Sequence, residues 1–154
     1  MSPASEVGDD FDTFARTHGD RLRCLLVARY GVEVGNDVCS DALTYAWEHW
    51  DEIQDMANPV GFLYRVAQSA SRRHFRWRRA VHLPAELPRT SPEPQPELDA
   101  ALKRLSDGQR VSVLLVHAFG WSYDDVAEAL DVRTSTVRNH IHRGIARLRK
   151  ELEN

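Results

Sequence analysis

No apolar run in the 154 residues approaches the ~20 that a membrane-spanning helix needs. The opening MSPASEVGDD is acidic and lacks the basic and apolar parts of a secretion signal, so a cytoplasmic location is expected. Cysteine is scarce. Cys24 and Cys39 each sit inside an apolar helical pattern and read as small buried hydrophobes; they form a redox pair only if their helices lie side by side. Sustained period-two alternation is missing throughout, which excludes a sheet and predicts an all-α chain. A glycine-rich phosphate loop, a nucleophile with a base and a carboxylate pair in apolar surroundings are likewise missing, so neither an enzyme nor a cofactor is expected. His140 and His142 stand two residues apart, which points them ~200° apart on a helix. They do not chelate one ion, with or without His117, and no metal is expected.

Outside residues 83–98 proline is nearly absent. Five of seven prolines fall in LPAELPRTSPEPQPEL. Proline forbids helix interiors and pushes the preceding residue toward extended backbone, so this stretch reads as a semi-rigid linker reaching on the order of 45 Å at ~3.1 Å per residue. It divides the chain into a helical domain at 10–82, a linker at 83–97 and a second helical domain at 98–154.

A net charge of −3 conceals an uneven distribution. Residues 1–57 carry four Arg against twelve acids; residues 58–82 carry six Arg and no acid; residues 133–150 carry five Arg, one Lys and no acid. Two basic blocks in an otherwise acidic chain point toward nucleic acid, against the default of a solvated helix face.

In the first domain, FDTFARTHGDRLRCLLVARYG is an amphipathic helix with Gly31 as its C-terminal stop. NDVCSDALTYAWEHWDEI is a second, with Asn36 or Asp37 as N-cap and Val38, Ala42, Tyr45 and Ala46 on one side, extended by Trp47 and Trp50. Asn58-Pro59 opens a third, with proline in the first turn. Leu63, Val66, Ala67, Ala70 and Trp77 share one arc of it, and Arg65, Gln68, Ser69, Arg72, Arg76 and Arg79 share another. Guanidinium groups in such a stripe suit a phosphate backbone. Trp77 reads as core, while Phe75, off the apolar arc, is the better candidate for stacking on an unpaired base.

The second domain begins with ELDAALKRLS and DGQRVSVLLVHAFG. Ser122 and Asp125 then resemble a capping box ahead of a helix that turns Val126, Ala127 and Leu130 inward. A three-residue break, DVR, separates it from TSTVRNHIHRGIARLRK, whose Val137, Ile141, Ile145 and Leu148 form an apolar spine. Two helices joined by a short turn, the second basic, are the helix-turn-helix pattern, here within a four-helix domain.

Together these segments resemble a bacterial sigma factor of the extracytoplasmic-function group. SYDDVAEALDVRTSTVRNHIHR is similar to the family's S-Y-x-E-I-A-x-x-L-G-V-S-x-G-T-V-K-S-R-L-x-R, NPVGFLYRVAQS to N-P-x-x-W-L-Y-R-I-A-x-N, and NDVCSDALTYAW to D-x-x-Q-E-x-F-x-x-A-W. The chain departs from these patterns at Ser40-Asp41 (family Gln-Glu), at Ser69 (Asn), and at Arg133 and Ser135 (Ser and Gly). Thr134 then stands as the candidate cap of the last helix.

The resemblance implies a protein that binds core RNA polymerase, at its clamp helices and flap, and brings it to promoter DNA. A monomer when free, with no membrane partner and with an anti-sigma factor as a further partner, fits the same family. It assigns upstream-element readout to Ser135, Arg138, Asn139 and His142, with Arg133, Thr134, Arg143 and Arg147 around them, chiefly on phosphates. It assigns the downstream element, where the duplex opens, to Asn58, Arg65, Ser69, Arg72, Arg73, Phe75, Arg76 and Arg79, and the polymerase face to Asp37, Ser40, Asp41 and Glu48. A helix-turn-helix regulator accounts only for residues 99–154. A sigma-like decoy that sequesters a regulatory protein has no need of the Arg stripe.

Overall fold

The structure is a computed structural model that describes the backbone of residues 3–80 and 95–154 and the side chains of 10–70 and 95–154. Every described element is a helix. The first block holds α1 (Pro3–Tyr30), α2 (Val32–Glu48), α3 (Trp50–Ile53) and α4 (Pro59–Ala80); the second holds α5 (Pro96–Lys103), α6 (Asp107–His117), α7 (Tyr123–Leu130) and α8 (Thr134–Glu153). The proline-rich stretch up to residue 94 lies outside the described residues, and α5 starts two residues before the expected domain boundary, with proline in its first turn.

Gly31 ends α1 as the sequence predicts. Its φ of +85° is a conformation that glycine adopts without a Cβ penalty, and its N–H donates to the Val27 carbonyl at 2.9 Å. The same residue also precedes the first turn of α2, so the expected cap at Asn36 or Asp37 is corrected: α2 starts at Val32 with no side-chain cap. The early start buries Val34 and Gly35 as well as Val38, Ala42 and Ala46. Gly35 is where α1 and α2 meet most closely, since a Cβ there would lie 2.6 Å from the Val27 Cα.

The helix breaks at His49, which stacks on Tyr45 at 4.0 Å between ring centroids. The break separates the fates of two tryptophans that the sequence places together. Trp50 is buried against Phe11 and Phe14, with centroids 5.5 and 5.1 Å away, whereas Trp47 remains 50% exposed. Asn58 caps α4 by accepting the Gly61 N–H at 3.0 Å. Leu63 and Ala67 are fully buried on the expected apolar arc, and Val60 and Tyr64 join them.

In the second block, Ser106 and Gln109 form a reciprocal capping box at the start of α6. Gly144 lets α8 approach α6, because a Cβ there would meet the Val113 side chain at 2.8 Å. Ala101, Leu105, Val113 and Leu148 form a small cluster that holds α5, and Arg104 pairs with Glu151 beside it.

The two blocks share one buried cluster, with α1 packed on α6. Charge lines this contact. Arg21 pairs with Asp125 at 3.1 Å and lies over the Trp121 ring at 4.7 Å. Arg29 reaches Asp107 at 3.3 Å and donates to the Tyr64 hydroxyl at 3.1 Å. Arg110 donates to the Arg29 carbonyl at 3.0 Å while paired to Asp107. Burial pushes the Tyr64 phenol up, partly countered by Arg29. Cys24 and Cys39 are both free, and burial raises both thiols above their ordinary value, which keeps them protonated and poorly nucleophilic.

The Gly35 approach predicts that Gly35→Ala costs about 1–3 kcal/mol in chemical denaturation, because backbone rather than a flexible side chain blocks the methyl. Gly19→Ala, on the same helix as Val27 but facing open space, is expected to stabilise by about 0.5–1 kcal/mol. The Ser122 hydroxyl, and then Arg21, hold the Asp125 carboxyl below its ordinary value. A lowered folded-state pKa contributes stability above the unfolded value near ~4 and loses it as pH falls through the folded value. The melting-temperature advantage of the native chain over Asp125→Asn is therefore expected at about pH 6 and should shrink as pH is lowered below about 4.

Candidate nucleic-acid interface

The second block presents its basic helix through the turn between α7 and α8. Ser122 caps α7 by accepting the Asp125 N–H at 3.1 Å. Val126, Ala127 and Ala129 then bury one face, with Leu130 half-buried beside them. Asp131 turns the chain with φ +55°, a left-handed conformation that Asp and Asn tolerate better than branched residues. Residues 131–133 make the turn, and α8 begins at Thr134.

Thr134 does not cap α8. Arg133 occupies the N-cap position and makes no side-chain cap bond, while the Thr134 hydroxyl donates to the Asp124 carboxylate at 2.8 Å. The correction has a simple cause. The N-cap position falls one residue earlier, on Arg133, and Thr134 sits inside the first turn, where its hydroxyl meets the Asp124 carboxylate.

Along α8, Val137, Ile141, Gly144 and Leu148 are buried and Ile145 is half-buried. Ser135, Arg138, Asn139, His142, Arg143 and Arg147 are all exposed, as is Arg133 just before the helix. One helix thus offers a continuous polar, cationic face with its apolar side fixed to α6 and α7. Sequence reasoning missed Tyr123 and Arg149. Both line an open cleft of about 310 Å³ together with Arg138 and His142, over a floor that includes Ile141 and Ile145. Arg149 was findable, since it lies seven residues beyond His142 and therefore on the same face.

In the first block, Asn58, Arg65 and Ser69 fall at the start and along the outer face of α4. Arg65 and Ser69 are exposed, and Asn58 is half-buried. The side chains of Arg72, Arg73, Phe75, Arg76 and Arg79 lie outside the described residues. Asn58 and Arg65 already have protein partners in the second block: the Asn58 amide donates to the Glu128 carbonyl at 2.8 Å, and Arg65 stands 3.6 Å from Asp131.

On α2, Asp37, Ser40, Asp41 and Glu48 are exposed along one side. The Ser40 hydroxyl is turned back onto its own helix, donating to the Asn36 carbonyl at 3.2 Å, so what it presents outward is small and already bonded. Trp47 lies seven residues beyond Ser40, on the same side, and adds a large exposed ring braced edge-on by Phe11 at 5.2 Å. Assigning Trp47 to the core hid it from the sequence reading.

Among the described residues no group of three or more His, Cys, Asp or Glu is placed to hold a metal ion, and no helix is long and apolar enough to cross a membrane.

Comparison with known proteins agrees with this architecture. Residues 95–148 match the family model described as sigma-70, region 4. The RNA polymerase sigma-E factor of Streptomyces avermitilis is 33% identical over 155 residues, covering 94% of this chain and 86% of its own length. The ECF RNA polymerase sigma factor SigL of Mycobacterium tuberculosis is 28% identical over 130 residues, covering 76% of this chain and 73% of its own. The solved structure of the sigma factor RpoE in complex with the anti-sigma factor NepR from Bartonella quintana has the same fold, with a TM-score of 0.62 and 22% identity over 94% of this chain and 97% of that one. With its helix-turn-helix block, its Arg-striped helix and a relative at this identity over nearly its whole length, the chain belongs to the extracytoplasmic-function group of the sigma-70 family of RNA polymerase sigma factors.

Proposed function

We propose that the two blocks divide promoter recognition between them, the second reading the upstream element as duplex and the first engaging the downstream element as it opens. As a sigma factor the chain binds core RNA polymerase and directs initiation at promoters, with no covalent chemistry of its own. The observation that carries the division is the α8 face, where the basic and polar residues are all exposed and the apolar ones are fixed to the block. A helix in the major groove presents the side chains near its N-terminus to base edges. Ser135, Arg138, Asn139 and His142 occupy that end. Arg suits guanine and Asn suits adenine through paired hydrogen bonds. Arg133, Thr134, Arg143 and Arg147 flank them at the reach of phosphates, joined by Tyr123 and Arg149 across the cleft.

For the downstream element, Asn58 stands at the start of α4 with Arg65 and Ser69 along its outer face, and the stripe continues in sequence through Arg72, Arg73, Phe75, Arg76 and Arg79. Capturing an unstacked base costs a few kcal/mol, and cationic and aromatic side chains along one helix supply the compensation. The acidic side of α2, with Asp37, Ser40, Asp41 and Glu48 around Trp47, faces polymerase. An exposed tryptophan among charges has the composition of an interface anchor with a polar rim. The relative of known structure is held by an anti-sigma factor, and we extend that mode of control to this chain. It works as a monomer in the cytoplasm, where its polymerase is.

Run-off transcription on promoter templates tests the reading directly. Core polymerase with this chain should initiate from a defined subset; absence of both stimulation and association with core would refute it. Arg138→Ala and Asn139→Ala should each relax upstream-element preference by about 1–3 kcal/mol. Arg147→Ala should instead weaken binding evenly across sequences and lower the salt slope by about one. Equal losses on every template for all three variants would refute the division between base and phosphate roles.

A further inference from the structure

The two cysteines sit on opposite sides of one helix crossing. The chain reverses at Gly31, and α1 and α2 meet most closely where a Cβ on Gly35 would lie 2.6 Å from the Val27 Cα. Cys24 is three residues from Val27 along α1, and Cys39 is four residues from Gly35 along α2. Both offsets are about one helical turn, and both lead away from the Gly31 reversal, so the two sulfurs occupy facing positions in the next layer of the contact. A second observation places them together. Beyond burial, which raises it, the Cys39 thiol is acted on by Arg23, Asp20 and Cys24, positions three and four apart on one side of α1. Their surroundings differ, since Cys39 is 5% exposed within the core and Cys24 is half-buried at its edge. Neither belongs to the nucleic-acid or polymerase faces.

We propose that Cys24 and Cys39 are a modification site for small-molecule disulfides, with which they exchange to form a reversible bridge that staples α1 to α2. A disulfide needs Cα atoms about 4.4–6.8 Å apart, and facing positions one turn from a crossing where backbone meets backbone come within that reach. Cys24 is the sulfur a reagent can approach. Its thiolate attacks one sulfur of the small disulfide, the S–S bond breaks, and the departing half leaves as a thiolate that takes up the proton Cys24 lost to solvent. Cys39 then attacks the Cys24 sulfur of the mixed disulfide and expels the second half in the same way. Two protein thiols are oxidised to one disulfide, one small disulfide is reduced to two thiols, and no other oxidant enters. Burial holds both thiols protonated, and the thiolate is the attacking form, so the exchange is slow. Its end point is set by position instead: a sulfur already facing the mixed disulfide displaces the small thiol far more effectively than one from solution. The bridge ties a loop that native packing has already closed, so it restricts the unfolded chain and leaves the folded one in place. It lies on the inner side of α2, and the neighbouring Ser40 and Asp41 remain exposed.

Oxidised glutathione is the probe. The reduced full chain is equilibrated with it, quenched with N-ethylmaleimide, and followed by intact mass, peptide mapping and thermal melting. The expected product is a monomer short of two hydrogens that carries neither glutathione nor maleimide, with the peptides of Cys24 and Cys39 joined, and dithiothreitol reverses it. The bridged chain should melt about 5–10 °C above the reduced one, as for a closed loop of about 15 residues. In concentrated urea the equilibrium constant for bridging should be lower by about a hundredfold, which is the same stabilisation read through the thiols. Cys39→Ala should stop at the glutathione adduct on Cys24, and Cys24→Ala should stay unmodified, with circular dichroism confirming helix content. Glutathione that persists on the native chain, a disulfide between two copies, a chain unmodified at equilibrium, or a bridged chain that melts no higher than the reduced one each overturns the proposal. All four are read on the native chain, so they decide even where a variant fails to fold.

Discussion

Burial of Leu22, Leu25, Leu26 and Ala28 on α1, all at 2% exposure or less, is the packing on which the remaining contacts depend. At ~1.5–3 kcal/mol for each fully buried leucine, these side chains alone contribute an amount comparable to the ~5–15 kcal/mol net stability of a domain. The helix packs on α2, α4 and α6, so it completes the core of the first block and forms the wall against the second. Its polar residues are spaced by the same periodicity that buries its leucines. Arg21 and Arg29 thereby emerge at the seam, eight residues apart and toward opposite ends of the contact, at Asp125 and at Asp107.

The division of labour follows from what each helix spends its two sides on. The core side of α8 is fixed to its own block, so its cationic side is available whatever the first block does. The core side of α4 is equally well fixed, by Leu63 and Ala67, yet the start of its outer side meets the other block. Exposure of the outer side is therefore decided within its own block for α8 and by the whole molecule for α4. The side of α2 that carries Asp41, Glu48 and Trp47 is exposed in the same arrangement.

Much of this architecture was legible in the sequence. Apolar spacing specifies which side of a helix is buried, and Val38, Leu63, Val137 and Ile141 lie where that spacing puts them. Glycine at 31 and the Asn-Pro step at 58–59 fix helix ends by backbone chemistry that needs no tertiary partner. The start of α2 was not legible, because its first turn is capped by no side chain and owes its position to the close approach of Gly35 to Val27. Trp47 and Trp50 look alike three residues apart, and only the break at His49 decides which one is buried. The N-cap position falls on Arg133 rather than Thr134, whose hydroxyl instead donates to Asp124, ten residues earlier. The partners of Asn58 and Arg65 were out of reach for the same reason on a larger scale: periodicity identifies a face but not what lies across from it.

The seam between the blocks joins one buried apolar cluster to a rim of exposed ion pairs. A covalent connection between the blocks adds to it an effective concentration of millimolar order for a short tether, and the second block behaves as a ligand that never diffuses away. Dilution does not open such a contact, and overproduction of the chain does not reinforce it.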